Sequence, residues 1–319
     1  MKPVVDPLPA EQVMAELTKD KLLRKTNNGS NEVYVFTGNN SPALMHEVGR
    51  VREITFRHAG GGTGHEIDID DFDTDPENPQ QQLIVWDPDN REIVGGYRFF
   101  FFEKKCRDCD ISKLASSAYF NFSNKFMRKY LPHLMELGRS FVHPDYQSGN
   151  KGRKSLFALD NLWDGLGAIV IDNHRIKYLF GKVTMYRHFN QKARDMILYF
   201  LKRHFDDPEE LVTVKDPADI DIHEESMKQI FRGRSYKENY KILSQEVRNL
   251  NENIPPLINA YMNLSPTMRT FGTFINHKFG DVEETGIMIT LRDIYVEKIN
   301  RHLASYKKDF EIKWFSRSR

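Results

Sequence analysis

The stretch from 134 to 185 limits the fold more than any other part of the chain. "LMELGRSFV" reads as a strand, and "HPDYQSGNKGRK" follows it as a loop rich in glycine and positive charge. "SLFALDNLWDGLGAIVIDN" is long enough for a helix, and "IKYLFGKVTM" reads as a second strand. Strand, loop, helix, strand is a crossover, which makes its two strands locally parallel. Upstream, "QQLIVWD" and "EIVGGYRFFFF" flank "PDNR" as a hairpin. Ser41 and Pro42 suit the N-cap and first residue of a helix that carries Leu44, Val48 and Val51 at helical spacing and stops at "HAGGGTG". Residues 190–204 form an amphipathic helix, "IPPLINAYMNL" another helix, and "ETGIMITL" a late strand. The polar segment 206–250 reads as a helical insertion on the surface. These elements predict one α+β domain over 1–319, a mixed twisted sheet flanked by helices. Its core spans about 40–205 and 254–295, and a basic tail occupies 305–319.

A formal net charge of +1 gives no global field for nucleic acid. No run approaches the roughly 18 to 20 apolar residues that span a bilayer. "MKPVVDPLPAEQ" has no positive region followed by an apolar core, so no signal peptide is visible and a cytoplasmic protein is expected. Cys106 and Cys109, in "CRDC", are half a zinc site without its other half; two reduced thiols are expected, and no metal.

Charge turns up where a fold alone does not ask for it. Glu136 and Arg139 interrupt an apolar strand, and their odd spacing puts them on opposite faces unless a bulge at Leu137–Gly138 re-aims one. Arg98 lies inside the strand "GGYRFF", and Arg52 shares a helix face with Phe56. "HEIDIDDFDTDP" holds Glu66, Asp68, Asp70, Asp71, Asp73 and Asp75. Each has a plain reading: a solvated acidic loop, a calcium site without the glycine and glutamate of an EF-hand, a solvent-facing arginine, a structural ion pair.

Taken in order, Arg52-x-x-x-Phe56, then Asp68-x-Asp70-x-Phe72-Asp73, then Gly95-x-x-Arg98, then Glu136-Leu-x-Arg139 resembles the acyl-homoserine-lactone synthases. It also resembles their relatives, the bacterial N-acyltransferases that make ornithine and glycine lipids. Both have the GNAT fold of the Gcn5-related N-acetyltransferases. The resemblance covers about 40–205, and "ELGRSFVHPDY" looks especially like the lipid-forming branch. The lactone synthases carry a tryptophan shortly after the first motif, where this chain has "HAGGGTG", and begin their acidic motif with glutamate, where it has Asp68. Both departures favour lipid or acyl-amino-acid synthesis over signal synthesis.

The resemblance implies amide formation between a fatty acyl thioester and the amino group of an amino acid, glycine first and ornithine second. It implies an acyl-phosphopantetheine donor, on acyl carrier protein or coenzyme A, and no permanently bound cofactor. Glu136 and Asp73 are the catalytic assignments. Glu136 takes the proton of the amine, with His143 as a competing base, and Asp73 joins Asp70 in either ordering the arginines or binding the ammonium. Arg52, Arg98 and Arg139, with Phe56, Asp68 and Asp70, bind the acceptor, since guanidinium pairs with carboxylate through two parallel hydrogen bonds. A purely structural Arg/Asp network is the plain alternative. A backbone N–H near Phe141 or Val142 stabilises the oxyanion. Gln147, Gly149, Lys151, Gly152 and Arg153, at a helix N-terminus, hold the donor phosphate, and the cations also suit an acidic carrier protein. Lys307, Lys308, Lys313, Trp314, Arg317 and Arg319 would permit peripheral contact with the inner membrane. A lactone synthase and a non-catalytic acyl-binding protein are the alternatives.

Overall fold

The computed structural model describes residues 1–103, 106, 109–147, 153–303 and 305–306. In chain order the strands begin with β1 (Leu22–Lys25), β2 (Glu32–Phe36), β3 (Gln81–Asp87), β4 (Glu92–Phe101) and β5 (Phe120–Phe122). They continue with β6 (Leu134–Val142), β7 (Tyr178–Met185), β8 (Val212–Val214), β9 (Arg269–Asn276) and β10 (Val282–Thr290). The helices are α1 (Ala10–Met14), α2 (Pro42–His58), α3 (Asp71–Thr74), α4 (Asn124–Lys129), α5 (Pro144–Gln147) and α6 (Arg153–Asp172). After these come α7 (Gln191–Phe205), α8 (Glu224–Ile230), α9 (Tyr236–Asn249), α10 (Pro256–Met262) and α11 (Val296–Leu303).

The expected crossover, β6–α6–β7, sits at the middle of an eight-stranded sheet of order β1-β2-β3-β4-β6-β7-β10-β9. Only β6 and β7 run parallel; every other pairing in the sheet is antiparallel. The parallel ladder is short, from Leu134↔Tyr178 to Leu137↔Gly181. Beyond it β6 stays with β4 up to Gly95↔Val142, while β7 stays with β10 up to Glu283↔Met185. The sheet therefore splits between Gly138 and Lys182.

One face packs on Leu162, Leu166 and Ile169 of α6, Ile197 and Phe200 of α7, and Leu243 and Val247 of α9. The other face carries two separate apolar clusters. Leu44, Val48 and Phe56 of α2 cover Ile84 and Trp86 at one end, and Phe120 and Phe126 cover Phe180, Phe274 and Met288 at the other. Each such side chain contributes about 2 kcal/mol by leaving water. Between the clusters the same face is polar: Gln82, Arg98, Glu136 and Glu284 are all buried there. Burying charge in that way is unfavourable unless partners are supplied, so this stripe marks the site.

Several elements differ from expectation. The sheet begins with β1 and β2, before the expected core boundary at 40. Segment 206–250 is more than a surface insertion, because β8 pairs with β5 and α9 buries Leu243 and Val247 against α7. Its few apolar positions recur four apart among charges, which hid the buried stripe. Cys106 and Cys109 are joined as a disulfide rather than two thiols; three residues apart in a loop, their Cα atoms lie 5.2 Å apart, within bridging range. No described helix is long and apolar enough to cross a membrane. The tail residues Lys307 to Arg319 lie outside the described residues.

Helix α2 starts at Pro42 as read, but Ser41 makes no side-chain cap. The carboxylate of Glu16 takes its place, accepting from Ala43 N at 3.2 Å and Leu44 N at 2.7 Å. Replacing Glu16→Ala should therefore lower stability by about 1 kcal/mol. Ser41→Ala, which leaves both of those bonds intact, should cost less in the same urea titration. The reverse order would show that Glu16 is not the cap.

Candidate active site

A bulge in β6 builds the site. Arg98 faces Gly138 and Gly96 faces Phe141, so Tyr97 alone opposes Arg139 and Ser140. The extra residue lies just after Leu137–Gly138, and Arg139 takes φ 47°, a left-handed conformation that a non-glycine residue adopts only under constraint. The bulge brings the Arg139 side chain round to the face that carries Glu136 and Arg98. The predicted conflict of spacing is resolved in this way.

The acidic segment is only partly solvated: Glu66 and Asp71 are exposed, whereas Asp68 and Asp73 are buried. Glu53, buried in α2, accepts from Thr63 N and Oγ1 and from Gly64 N, which pins the glycine loop. Asp68 N then donates to Gly49 O at 3.1 Å, laying the next residues along α2. At α3, Asp70 accepts from Phe72 N and Asp73 accepts from Asp70 N, a reciprocal capping box. The carboxylates of Asp68, Asp70 and Asp73 are thereby held over the split sheet.

They meet the three arginines as an alternating ladder. Arg52 donates to Asp73 at 3.2 Å and, through Nη2, to Gln82 Oε1. Asp73 also receives Arg98 at 3.1 Å, and Arg98 reaches Asp70 at 2.5 Å. Asp70 receives Arg139 at 3.3 Å, and Arg139 Nε holds Asp68 at 2.8 Å. Arg98 lies 5.5 Å over the ring of Phe72, and Arg139 lies 5.0 Å over Phe279, which packs edge-on against Phe56. All six predicted acceptor-binding residues are thus brought together.

Their burial separates their roles. Arg52 and Asp73 are fully enclosed and closed to solvent. Burial alone would raise the Asp73 pKa, but Arg52, then Arg98, override it and hold it at about 2. Enclosed and shared by two guanidiniums, Asp73 is the hub of the ladder. The open members are Asp70, with a third of its side chain exposed (33%), and Arg139 (20%). Burial lowers the Arg139 pKa less than Asp68 and Asp70 raise it, so Arg139 stays charged.

Glu136 is buried two residues before Gly138, and its oxygens accept from Ala115 N at 2.8 Å and Ser116 N at 2.9 Å. Across the split lies a group that sequence reasoning missed. Lys182 donates to Glu284 at 2.8 Å, and Asn276 Nδ2 donates to the same Oε2 at 2.9 Å. Lys182 Nζ also sits 4.4 Å over the Tyr119 ring, whose hydroxyl donates to Asn276. Burial and then Glu284 raise the Tyr119 pKa, Arg139 opposes them, and Asp70 adds to the rise; the phenol lies between the two charge clusters. Oε1 of Glu284 makes no hydrogen bond among the described residues. The sequence signal was a lone lysine in "YLFGKVTM" and a glutamate leading "ETGIMITL".

Of the donor-side assignments, Val142 and Phe141 separate cleanly. His143 N donates to Val94 O, so the alternation of an antiparallel ladder turns Phe141 N–H toward β4 and Val142 N–H toward the split. Gln147 Nε2 donates to Val142 O at 2.5 Å. His143 Nδ1 accepts from Asp145 N at 3.2 Å, a loop-ordering contact. Gly149, Lys151, Gly152 and the side chain of Arg153 lie outside the described residues.

The family described as an acetyltransferase (GNAT) domain matches residues 51–153, the span from Arg52 to the end of the basic loop. A glycine N(alpha)-acyltransferase of Bacteroides thetaiotaomicron is 52% identical over 307 residues, which is 96% of this chain and 91% of that relative. A glycine N(alpha)-acyltransferase of Phocaeicola vulgatus is 51% identical over 309 residues, 97% of this chain and 94% of that relative. Among solved structures, an N-acyl amino acid synthase from uncultured soil microbes aligns over 84% of this chain and 96% of its own, at 11% identity and TM-score 0.38.

Replacing Asp73→Asn leaves two buried guanidiniums one carboxylate short. Unfolding free energy at pH 7 should fall by about 3 kcal/mol or more, as when one partner of a buried pair is removed. Because the folded pKa of about 2 lies below the ordinary 3.8, the stabilisation is complete above pH 4 and is lost as pH falls toward 2. The gap between wild type and variant should therefore narrow over that window in denaturant titrations. A constant gap would contradict an ionised hub.

Proposed function

The chain belongs to the family of these glycine N(alpha)-acyltransferases, with a GNAT domain, and is an acyltransferase; on that premise we propose that it moves a long-chain acyl group from acyl carrier protein to the amino group of glycine. Ornithine is the second acceptor, and the N-acyl amino acid feeds an aminolipid. The observation that supports the reading most is the split between β6 and β7, walled on one face by paired arginines and carboxylates. A thioester arm laid in the split meets Val142 N–H from the side, and an amino acid meets Arg139 and Asp70 from above. The positive residues Lys151, Arg153 and Lys154 support a carrier-protein donor, whose arm has a single phosphate.

The reaction needs two proton movements. The acceptor ammonium gives one proton to a carboxylate, and its nitrogen then attacks the thioester carbon. Val142 N–H donates to the oxyanion. As the tetrahedral carbon collapses, the C–S bond breaks, the amide forms, and the second nitrogen proton leaves with the sulfur as a thiol. Both Glu136 oxygens already hold backbone N–H groups, whereas Glu284 keeps Oε1 unengaged among the described residues. Glu284 is therefore assigned the proton, and Glu136 the ordering of 115–118.

Purified protein given long-chain acyl carrier protein, or acyl-coenzyme A, with a panel of amino acids and S-adenosylmethionine should yield N-acylglycine from the carrier-protein donor by mass spectrometry. A lactone, or a product only from coenzyme A, would replace that part of the reading. Glu284→Gln should lower kcat by about 100-fold in protein that still unfolds cooperatively, the size usual for a lost acid–base group. Its melting temperature should fall with the loss of the ion pair to Lys182. Glu136→Gln should lower stability first; an equal loss of kcat in a fully stable Glu136→Gln would return the proton to Glu136.

A further inference from the structure

The glycines of the central strands are glycine for steric reasons, with one exception. A Cβ on Gly95 would stand 2.5 Å from Phe141 O, on Gly96 2.7 Å from Leu83 O, and on Gly181 2.7 Å from Leu137 O. A Cβ on Gly138 would meet nothing within 4 Å. Gly138 is not among the glycines with positive φ either. Among the described glycines it alone has neither a close neighbour nor a left-handed backbone to explain it. Nothing in the fold requires glycine at this position.

What surrounds the position points to a ligand. Gly138 faces Arg98 across β4 and is the first residue of β6 past its ladder with β7, where Lys182 is the first residue beyond the last pair. Arg98, with Asp70 and Arg139, lies on one side of the opening, and Lys182 with Glu284 lies on the other. Each side presents a cation and a carboxylate, which suits a small zwitterion lying between them. We propose that the acceptor amino acid rests on Gly138, with its carboxylate toward Arg139 and its amine toward Glu284, and that the absent side chain at 138 sets the room for it. The inference deepens the reading of the chain as an amino-acid N-acyltransferase and rests on it.

The test is Gly138→Ala, assayed with wild type under matched conditions. The methyl group enters open space on an extended strand, so the melting temperature should be unchanged or higher. The glycine KM should rise about tenfold or more, the usual effect of one extra carbon in a filled pocket, and the donor KM should stay within about twofold. An unchanged glycine KM, or a rise confined to the donor KM, would overturn the acceptor floor and leave the proposed reaction standing. Wild-type protein that acylates no amino acid with either donor would overturn the proposed function and this inference with it. If Gly138→Ala failed to fold, the open space at 138 would be disproved directly.

Discussion

Everything at the site depends on a row of alternating charges: Arg52, Asp73, Arg98, Asp70, Arg139 and Asp68. Three guanidiniums and three carboxylates sum to no net charge, so the row can be buried without forcing any member to neutralise. Removing one member strands its neighbours, because a buried unpaired charge costs several kcal/mol. The row is therefore rigid by necessity, and the enclosed end at Arg52 and Asp73 fixes where the open end at Asp70 and Arg139 can be.

The row has its effect only because the backbone is distorted to receive it. Without the extra residue in β6, Arg139 would point into the apolar layer beneath α6, among Leu137, Leu162 and Val183. The ion pairs to Asp68 and Asp70 offset the left-handed φ at Arg139, a cost of about 1 to 3 kcal/mol. The same bulge restores Val142 to the parity that turns its N–H toward the split. A single inserted residue thus sets both the face that Arg139 joins and the direction of the Val142 N–H.

Much of this was legible in the sequence, for identifiable reasons. The crossover at 134–185 declared itself because both strands are apolar and the helix between them is long. Arg52, Asp68, Asp70, Arg98 and Arg139 stood out as charges in ordered motifs, and the structure brings them together. For Asp73 the sequence shows a carboxylate but not the two guanidiniums that hold it ionised. Lys182 and Glu284 were missed because they lie 102 residues apart and become neighbours only through the β7–β10 register, where Thr184 faces Glu284. β1, β2, β5, β8 and β9 were missed; β1, β5 and β8 have only three or four residues, too few to show a clear alternation.

The two charge groups also constrain each other across the opening. Lys182 cannot swing freely: it is clamped to Glu284 and stacked over Tyr119, which Phe274 supports at 4.5 Å. Glu284 in turn has one oxygen committed to Lys182 and Asn276 and one left over among the described residues. On the proposed reading, an incoming ammonium would meet that remaining oxygen beside a lysine already paired with the same carboxylate. Were Glu284 to take the proton as proposed, Lys182 would be left with a neutral partner on its own wall of the split.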